Sequence, residues 1–121
     1  MKIAIAIAAL TSIVSAGNVL AQTPPLTYPD IVSEARRYER LEGSERVISN
    51  KILGKKVRLN LQKFGNGSPD FYVRRADMIG FICSKSSPKF SGGNVIATIT
   101  MHEEGADGAS HFYTLDNCTT K

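Results

Sequence analysis

The feature that most constrains this chain is a strict two-residue alternation between residues 56 and 62. The run reads KVRLNLQ, so that one set of alternate positions carries Val57, Leu59 and Leu61, and every residue between them is polar. Successive side chains of a β-strand point to opposite faces, and this alternation is typical of a strand with one buried face. The sequence therefore predicts a sheet that covers a core on one side only.

Four further strands are predicted after the turn cluster GNGSPD. They lie in the segments FYVRRADM, IGFICSK, VIATITMH and HFYTLDNC, and a glycine-containing loop, EEGADGAS, precedes the last one. The alternation also predicts that most of the aromatic side chains in these strands belong to the core: Phe71, Phe81, Phe112 and Tyr113. Tyr72 is the ring that we expect to be exposed.

A helix is predicted from Asp30, as its cap, to Leu41. Its apolar residues recur at spacings that place them on one helix face: Ile31, Val32, Ala35, Tyr38 and Leu41. The charged residues between them are predicted to form a solvated face: Glu34, Arg36, Arg37, Glu39 and Arg40. One helix and five short strands in residues 30–121 predict a single α+β domain, mostly β, built as a five-stranded small barrel with an N-terminal helix.

The first 21 residues have the pattern of a cleaved signal peptide. Lys2 precedes an apolar run from Ile3 to Val14, and small residues lead to a cleavage site after Ala21. An apolar run of about 12 residues is too short to span a bilayer of about 30 Å. We therefore expect export, no stable membrane span, and an extended proline-rich lead over residues 22–29.

The net charge of the chain is modestly positive. It is +4 for the full sequence and becomes +3 once Lys2 leaves with the signal peptide. Proteins specialised for nucleic acids usually concentrate more basic charge on one face. A mildly basic surface also suits anionic glycans, phospholipid head groups or an acidic protein.

The two cysteines, Cys83 and Cys118, are predicted to form a disulfide. In an oxidising compartment an even cysteine count favours a bridge, and two cysteines allow one intramolecular pairing. A catalytic thiol would need a histidine as its base. His111 lies about 23 Å from Cys118 along an extended strand, which is too far for such a pair.

Several segments resemble the small exported bacterial OB-fold (oligonucleotide/oligosaccharide-binding) proteins, which include the tRNA-anticodon-binding-like and exported bacterial OB-fold groups. They are GKKVRLNL, GFICSK, GGNVIATITM and FYTLDNC, over about residues 51–118. The resemblance implies an OB-like barrel in which strand five lies beside strand three, so that the disulfide closes the barrel. Because the segment between strands three and four is too short for the usual OB helix, the N-terminal helix is expected to plug the barrel.

Two groups of side chains are candidates for a functional site. The first is a basic and aromatic outer strand face, predicted to bind a ligand: Lys56, Arg58, Tyr72, Arg74 and Arg75. The second is the pair His102 and His111, expected to face each other at the end of the last hairpin and, with the carboxylates between them, to offer a zinc or copper site. The alternative for the hairpin is a solvated acidic loop whose Asp107-Gly108 makes a turn.

Neither paired carboxylates at a cleft, nor a serine–histidine–aspartate set, nor a phosphate-binding glycine loop occurs in the sequence, so an enzyme and a cofactor are not predicted. The sequence predicts a periplasmic or secreted binding module of the bacterial envelope that recognises a protein partner or an anionic ligand without catalysis. Alternatives are binding of single-stranded nucleic acid, a metal-dependent role for the two histidines, and a place as subunit of a larger assembly.

Overall fold

The computed structural model describes residues 23–65, 70–73, 75–86 and 90–119, without the side chains of Ile48 and Arg75. The predicted signal peptide lies outside these residues. In chain order the elements are α1 (Tyr28–Glu39), α2 (Ser44–Ile48), β1 (Lys56–Lys63), β2 (Asp70–Tyr72), a 3₁₀ helix (Arg75–Asp77), β3 (Ile79–Cys83), β4 (Gly92–Glu104) and β5 (His111–Leu115). Of the described helices, none has the length and apolar character needed to cross a membrane.

The five strands close into a barrel in the order β1-β2-β3-β5-β4. β3 and β5 run parallel, with Phe81 opposite Tyr113, and the other neighbouring pairs are antiparallel. The predicted five-stranded small barrel with a leading helix is confirmed, and strand five does lie beside strand three.

The alternation along β1 is the reason for its position in the barrel wall. Val57, Leu59 and Leu61 are buried in the core, whereas Lys56 and Arg58 are exposed on the outside. Inward residues of the other strands fill the remaining space, principally Phe71, Phe81, Val95, Ile99, Tyr113 and Leu115.

β4 closes the barrel because it pairs with two neighbours in succession. Its first half, up to Thr98, pairs with β1, and from Ile99 onward it pairs with β5. The register shifts between Ile99 and Met101, and such a bulge bends a strand. The bend in this single long strand therefore allows the five-stranded sheet to close into a barrel.

α1 covers one end of the barrel with Ile31 and Ala35, which are fully buried. The helix begins at Tyr28 rather than at the predicted cap Asp30. Thr27 is the cap residue, and the Asp30 carboxylate, inside the first turn, accepts the Thr27 backbone N–H at 2.7 Å. Asp30 thus stabilises the helix start from within, as in a capping box.

The predicted second strand over residues 71–78 is wrong for its second half. β2 ends at Tyr72, and the chain then leaves the sheet through the 3₁₀ helix Arg75–Asp77. Two contacts from α1 hold this segment: the Tyr28 hydroxyl donates to the Asp77 carboxylate at 2.9 Å, and Arg36 Nη2 donates to the Asp77 carbonyl at 2.5 Å. These contacts with α1 therefore hold, as a 3₁₀ helix, residues that the alternation alone predicted to be part of the second strand.

The predicted disulfide joins Cys83, at the end of β3, to Cys118, three residues beyond β5, with 5.8 Å between the Cα atoms. Cys118 is fully buried, and its N–H donates to the Lys85 carbonyl at 2.7 Å. The bridge closes a loop with a sequence separation of 35. A loop of this length corresponds to a stabilisation of about 3–4 kcal/mol in the chain-entropy account.

Candidate functional site

The predicted basic face is only partly assembled. Lys56 and Arg58 are exposed on the outside of β1, and Tyr72 is half-buried near the other end of that strand, where it pairs with Gln62. Four residues of strand separate Arg58 from Gln62, about 13 Å. Of the other two predicted residues, Arg74 lies outside the described residues and only the backbone of Arg75 is described.

The outer face instead presents an apolar groove beside Tyr72. We define the outer groove by four side chains: Phe64, Tyr72, Met78 and Phe112. Its volume is about 270 Å³, and Gly80 lies in its floor. Phe64 is 50% exposed and Met78 is 43% exposed, which is unusual for large apolar residues that lie together.

Strand register explains why these residues meet. Tyr72 of β2 is opposite Gly80 of β3, and Gly80 is opposite Phe112 of β5, so the three form one row across the outside of the barrel. A Cβ atom on Gly80 would come within 3.1 Å of two carbons of the Phe112 ring. Gly80 therefore leaves the space in which the Phe112 ring lies against the sheet.

The expectation that Phe112 belongs to the core is wrong. It is half-buried and points outward, because the alternation of β5 places its neighbours His111 and Tyr113, and also Leu115, inward. The other three rings predicted as core, Phe71, Phe81 and Tyr113, are buried.

Two aromatic rings shape the outer groove. The rings of Phe64 and Tyr72 are nearly perpendicular, at 88°, with 6.1 Å between their centroids. Lys63 is opposite the buried Phe71, and its ammonium lies 4.7 Å from the centre of the Phe71 ring, so it lies on the other side of the sheet from Tyr72 and the groove.

Met78 has an unusual backbone conformation. Its φ angle is +60°, in the left-handed region that residues with a side chain rarely adopt. Its carbonyl accepts the His111 N–H at 2.9 Å, a contact that holds the turn between the 3₁₀ helix and β3 in place. Strained residues of this kind persist where the surrounding structure holds them, and they are concentrated at functional sites.

The two predicted metal-binding histidines lie side by side, although not in one register pair. His102 is opposite Tyr113, and His111 is opposite Glu104. His102 Nε2 is 2.8 Å from His111 Nδ1, and His111 Nε2 is 2.7 Å from a Glu39 carboxylate oxygen. We call Glu39, His111 and His102 the histidine row.

The histidine row is a hydrogen-bonded chain at the helix-covered end of the barrel, with a buried central member and half-buried ends. His111 is 1% exposed, and both of its ring nitrogens have partners within the row. Tyr38 of α1 packs edge-on against His102 with centroids 4.6 Å apart. The ionised Glu39 fixes His111 Nε2 as a donor, so that a single proton is shared between the two imidazoles.

The environment of the row shifts the pKa values of its end members. Burial, followed by the charge of His111, lowers the pKa of His102 to about 4. Burial acts to raise the pKa of Glu39, but the hydrogen bond from His111 and the charge of Arg36 outweigh it and leave the pKa below its ordinary value. The row therefore favours a carboxylate at one end and a neutral imidazole at the other.

In the described part of the chain, no group of three or more His, Cys, Asp or Glu side chains is placed to hold a metal ion. The acidic residues near the row have other contacts: Glu104 pairs with Arg46 at 3.1 Å, and Asp107 accepts the N–H groups of Ala109 and Ser110 at 2.9 Å. These backbone hydrogen bonds lower the pKa of Asp107 to about 2. The hairpin carboxylates thus order the turn and the neighbouring helix.

The predicted solvated face of α1 is wrong at Glu34, which is 7% exposed. Its carboxylate accepts two hydrogen bonds from Arg37, at 2.9 and 2.7 Å, and one from the Lys51 N–H at 3.2 Å. Burial acts to raise its pKa, whereas these donors lower it and prevail. Arg37 also donates to the Ser49 carbonyl, so the pair fastens the segment before β1 to the helix.

A second cavity, of about 290 Å³, lies beside this pair. Its walls carry charges of both signs: Asp30, Glu34, Arg37, Lys51 and Lys55. The Arg37 guanidinium in its wall is already bound to Glu34, and its lining is largely polar, whereas that of the outer groove is largely aromatic and aliphatic. The outer groove is the better candidate for a ligand site.

Sequence reasoning missed Phe64, Met78 and Glu39 as members of these two sites. For Glu39 a signal was present, because it follows the buried Ala35 by four positions and so lies on the same helix face. Met78 ended the predicted second strand, and the alternation of the predicted strands gave no sign that Met78 and Phe64 lie together. Comparison of the chain with protein-family models, with curated proteins and with solved structures gives no match.

Proposed function

We propose that this protein is an exported, non-catalytic binding module that recognises an anionic partner through the outside of its barrel. The observation that carries the proposal is the outer groove, where four large apolar side chains remain accessible on an otherwise well-packed barrel. Exposed apolar residues that lie together on a folded domain are typical of interaction sites, whereas singly scattered ones need no partner.

The charge of the same face supports an anionic partner. Lys56 and Arg58 are exposed on the outside of β1, the strand face that also carries Gln62, the residue opposite Tyr72. We call these two basic side chains the basic track. Such a track attracts negative charge at a distance and orients a long ligand before close contact is made.

The disulfide supports action outside the cytoplasm. Bridges such as Cys83–Cys118 form and persist in oxidising compartments, and the N-terminal sequence has the features of an export signal. A periplasmic or secreted location in a bacterium is therefore part of the proposal.

The test is binding of poly-L-glutamate to the purified oxidised protein at several salt concentrations, measured by fluorescence anisotropy. We expect affinity to fall as salt rises, and the double variant Lys56→Glu with Arg58→Glu to bind at least about tenfold more weakly, which is about 1.4 kcal/mol. Lys85→Glu is the matched control, because Lys85 is an exposed lysine near the disulfide, away from β1.

Two results would count against the proposal. If the double variant binds poly-L-glutamate as tightly as the unchanged protein, the basic track is not the contact surface. If an oligothymidylate binds with much greater affinity and a steeper salt dependence, the ligand is single-stranded nucleic acid.

A further inference from the structure

We propose that protonation of His102 detaches the short helix α2 from the hairpin formed by β4 and β5. On acidification the imidazole moves from His111 to Glu104, the carboxylate that at neutral pH holds Arg46 of α2. The switch is independent of the proposed function, because none of these residues lines the outer groove. It couples the position of a surface helix to the charge of one imidazole, as in other proteins that respond to pH through histidine.

The ion pair between Arg46 and Glu104 attaches α2 to the hairpin. Arg46 Nη1 lies 3.1 Å from Glu104 Oε1, and the two side chains are 35% and 30% exposed. Of the side chains that the structure describes in α2, none is buried. Because a partly exposed ion pair stabilises only weakly, a second cation that competes for Glu104 can release the helix.

Glu104 lies where His102 can reach it. The two residues are two positions apart on β4, and side chains at this spacing lie on the same face of a strand. Glu104 is also opposite His111 across the hairpin. Burial, and then the charge of His111, lower the pKa of His102 to about 4, whereas the charge of Glu104 acts to raise it. The carboxylate therefore already attracts a positive charge on this imidazole.

The histidine row accommodates one imidazolium but not two. His102 Nε2 and His111 Nδ1 face each other at 2.8 Å, and the bond between them needs one N–H and one lone pair. When His111 alone is protonated, it donates to Glu39 and to His102, and both bonds of the row are kept. When His102 is protonated as well, both facing nitrogens carry a proton and no acceptor remains between the two positive rings. The half-buried His102 is the ring that can turn away, since His111 is 1% exposed.

The charged groups around the row leave Glu104 as the new partner. The charged and titratable side chains that face the row in the described part of the chain come from four elements: Glu34, Arg36, Tyr38 and Glu39 of α1, Arg46 of α2, Glu104 of β4 and Tyr113 of β5. Glu34 and Glu39 each accept several hydrogen bonds. Glu104 accepts one from the described residues, that of Arg46. It is therefore the carboxylate whose partner a protonated His102 can replace.

The direction of the pH dependence follows from where His102 binds its proton more readily. While it faces His111 its pKa is about 4, and the ordinary value is 6.5. The detached arrangement therefore holds more protons between these values, and its population rises as pH falls from 6.5 toward 4. Neutral pH favours the attached helix.

NMR titration of the unchanged, isotope-labelled oxidised protein from pH 7 to 4 tests the switch. We expect the Arg46 Nε–H signal and the amide signals of α2 to shift with the same midpoint as the His102 imidazole. After correction for the chemical effect of pH, amide exchange in α2 should rise about fivefold relative to β1, the ratio that corresponds to loss of a partly exposed ion pair.

Two variants act on the switch in opposite ways. His102→Gln does not titrate and should leave α2 attached over the whole pH range. Glu104→Gln removes the shared carboxylate, so α2 should be detached at pH 7 and should no longer respond to pH. Glu103→Gln is the matched control, because Glu103 is an exposed residue at the next position of β4, where the side chain points to the other face.

Three results would overturn the proposal. Signals of α2 that stay constant while His102 titrates would show that the helix is attached independently of this imidazole. An equal rise of amide exchange in β1 would assign the effect to the whole fold. If Glu103→Gln abolishes the response as Glu104→Gln does, the total negative charge of the hairpin is responsible and no exchange of partners takes place.

Discussion

Two regions of the barrel depart in opposite ways from the usual pattern of apolar residues inside and polar residues outside. They are the helix-covered end and the outer groove. Under α1, two polar side chains are buried: Glu34, which pairs with Arg37, and His111, which lies between Glu39 and His102. On the outer face, large apolar side chains are accessible to solvent, Phe64 and Met78 above all. The two regions meet on β5, where His111 points inward and Phe112 outward.

The two regions differ in how their unusual side chains are accommodated. Each buried charge under α1 has hydrogen-bond partners inside the protein, so that end has the form of a structural network. In the outer groove, Phe64 and Met78 are 50% and 43% exposed, and Met78 is held in a strained conformation as well. We therefore assign stability to the first region and binding to the second, and four experiments can separate these roles.

Removal of the disulfide should have the largest effect, because the bridge supports both regions. We expect Cys83→Ser with Cys118→Ser to lower the free energy of unfolding by about 3–4 kcal/mol in urea denaturation. Ser84→Ala, at an exposed neighbouring position, is the control. Amide exchange should accelerate in α1 and in β3 alike, and acceleration confined to one of them would show that the two regions unfold separately.

Neutralising Glu39 should affect the helix-covered end alone. Glu39→Gln replaces the charge-assisted bond to the buried His111, and we expect a loss of about 2 kcal/mol in thermal or urea unfolding. Glu42→Gln, at an exposed position after α1, should be neutral. Binding of poly-L-glutamate should be unchanged, and a large decrease in affinity would contradict the division of roles.

Acidification should also act on the histidine row. The unfolded chain binds a proton at His102 near pH 6.5 and the folded protein only near pH 4, so the unfolded state holds more protons between these values. Stability therefore rises with pH in this window and is lost as pH falls from 6.5 toward 4. Since one pKa unit corresponds to about 1.4 kcal/mol and His102 is half-buried, we expect a total loss of about 1–3 kcal/mol.

Urea denaturation of the unchanged protein and of His102→Gln at several pH values measures this effect. The variant should lack the decrease between pH 6.5 and 4.5. It should keep the decrease at lower pH, because the lowered pKa values of Glu34 and Glu39 remain. A decrease of equal size in both proteins would assign the acid sensitivity to other groups.

The smallest expected effect concerns the groove. Met78→Gly relieves the left-handed strain but increases the freedom of the unfolded chain, so we expect unfolding free energy to stay constant or to rise by up to about 1 kcal/mol. Met101→Gly, within β4, has no such strain to relieve and should lose about 0.5–1 kcal/mol. If Met78→Gly is the more damaging change, Met78 supports the fold and its strain is no sign of binding.

The barrel could be predicted because its signals are local in the chain. The alternation along β1 predicts a strand from a few neighbouring residues. The even cysteine count predicts a disulfide from composition alone. The burial of Glu34 was also visible in principle, since it follows Ile31 by three positions and precedes Tyr38 by four, in the apolar stripe. Its burial was not predicted because a charged side chain was assumed to be exposed. Burial is possible because Arg37, one helical turn away, pairs with the Glu34 carboxylate.

The outer groove could not be predicted in the same way. It depends on Tyr72, Gly80 and Phe112 meeting in register across three strands, one of them parallel to its neighbour. It depends as well on Met78 and Phe64, which lie just outside the strands and carry no periodic signal. Contacts of this kind arise from the closure of the barrel, and no short stretch of sequence encodes them.

Closure has a consequence for how any partner can attach. The described strands form a ring, β1-β2-β3-β5-β4, in which each strand has two hydrogen-bonded neighbours, although the two halves of β4 pair with different ones. Compared with an open sheet, such a ring leaves less unpaired edge to which a partner strand can add, which is a common route both to peptide recognition and to fibrous aggregation. We therefore expect side chains on the outside of the barrel to provide most of the selectivity for a partner.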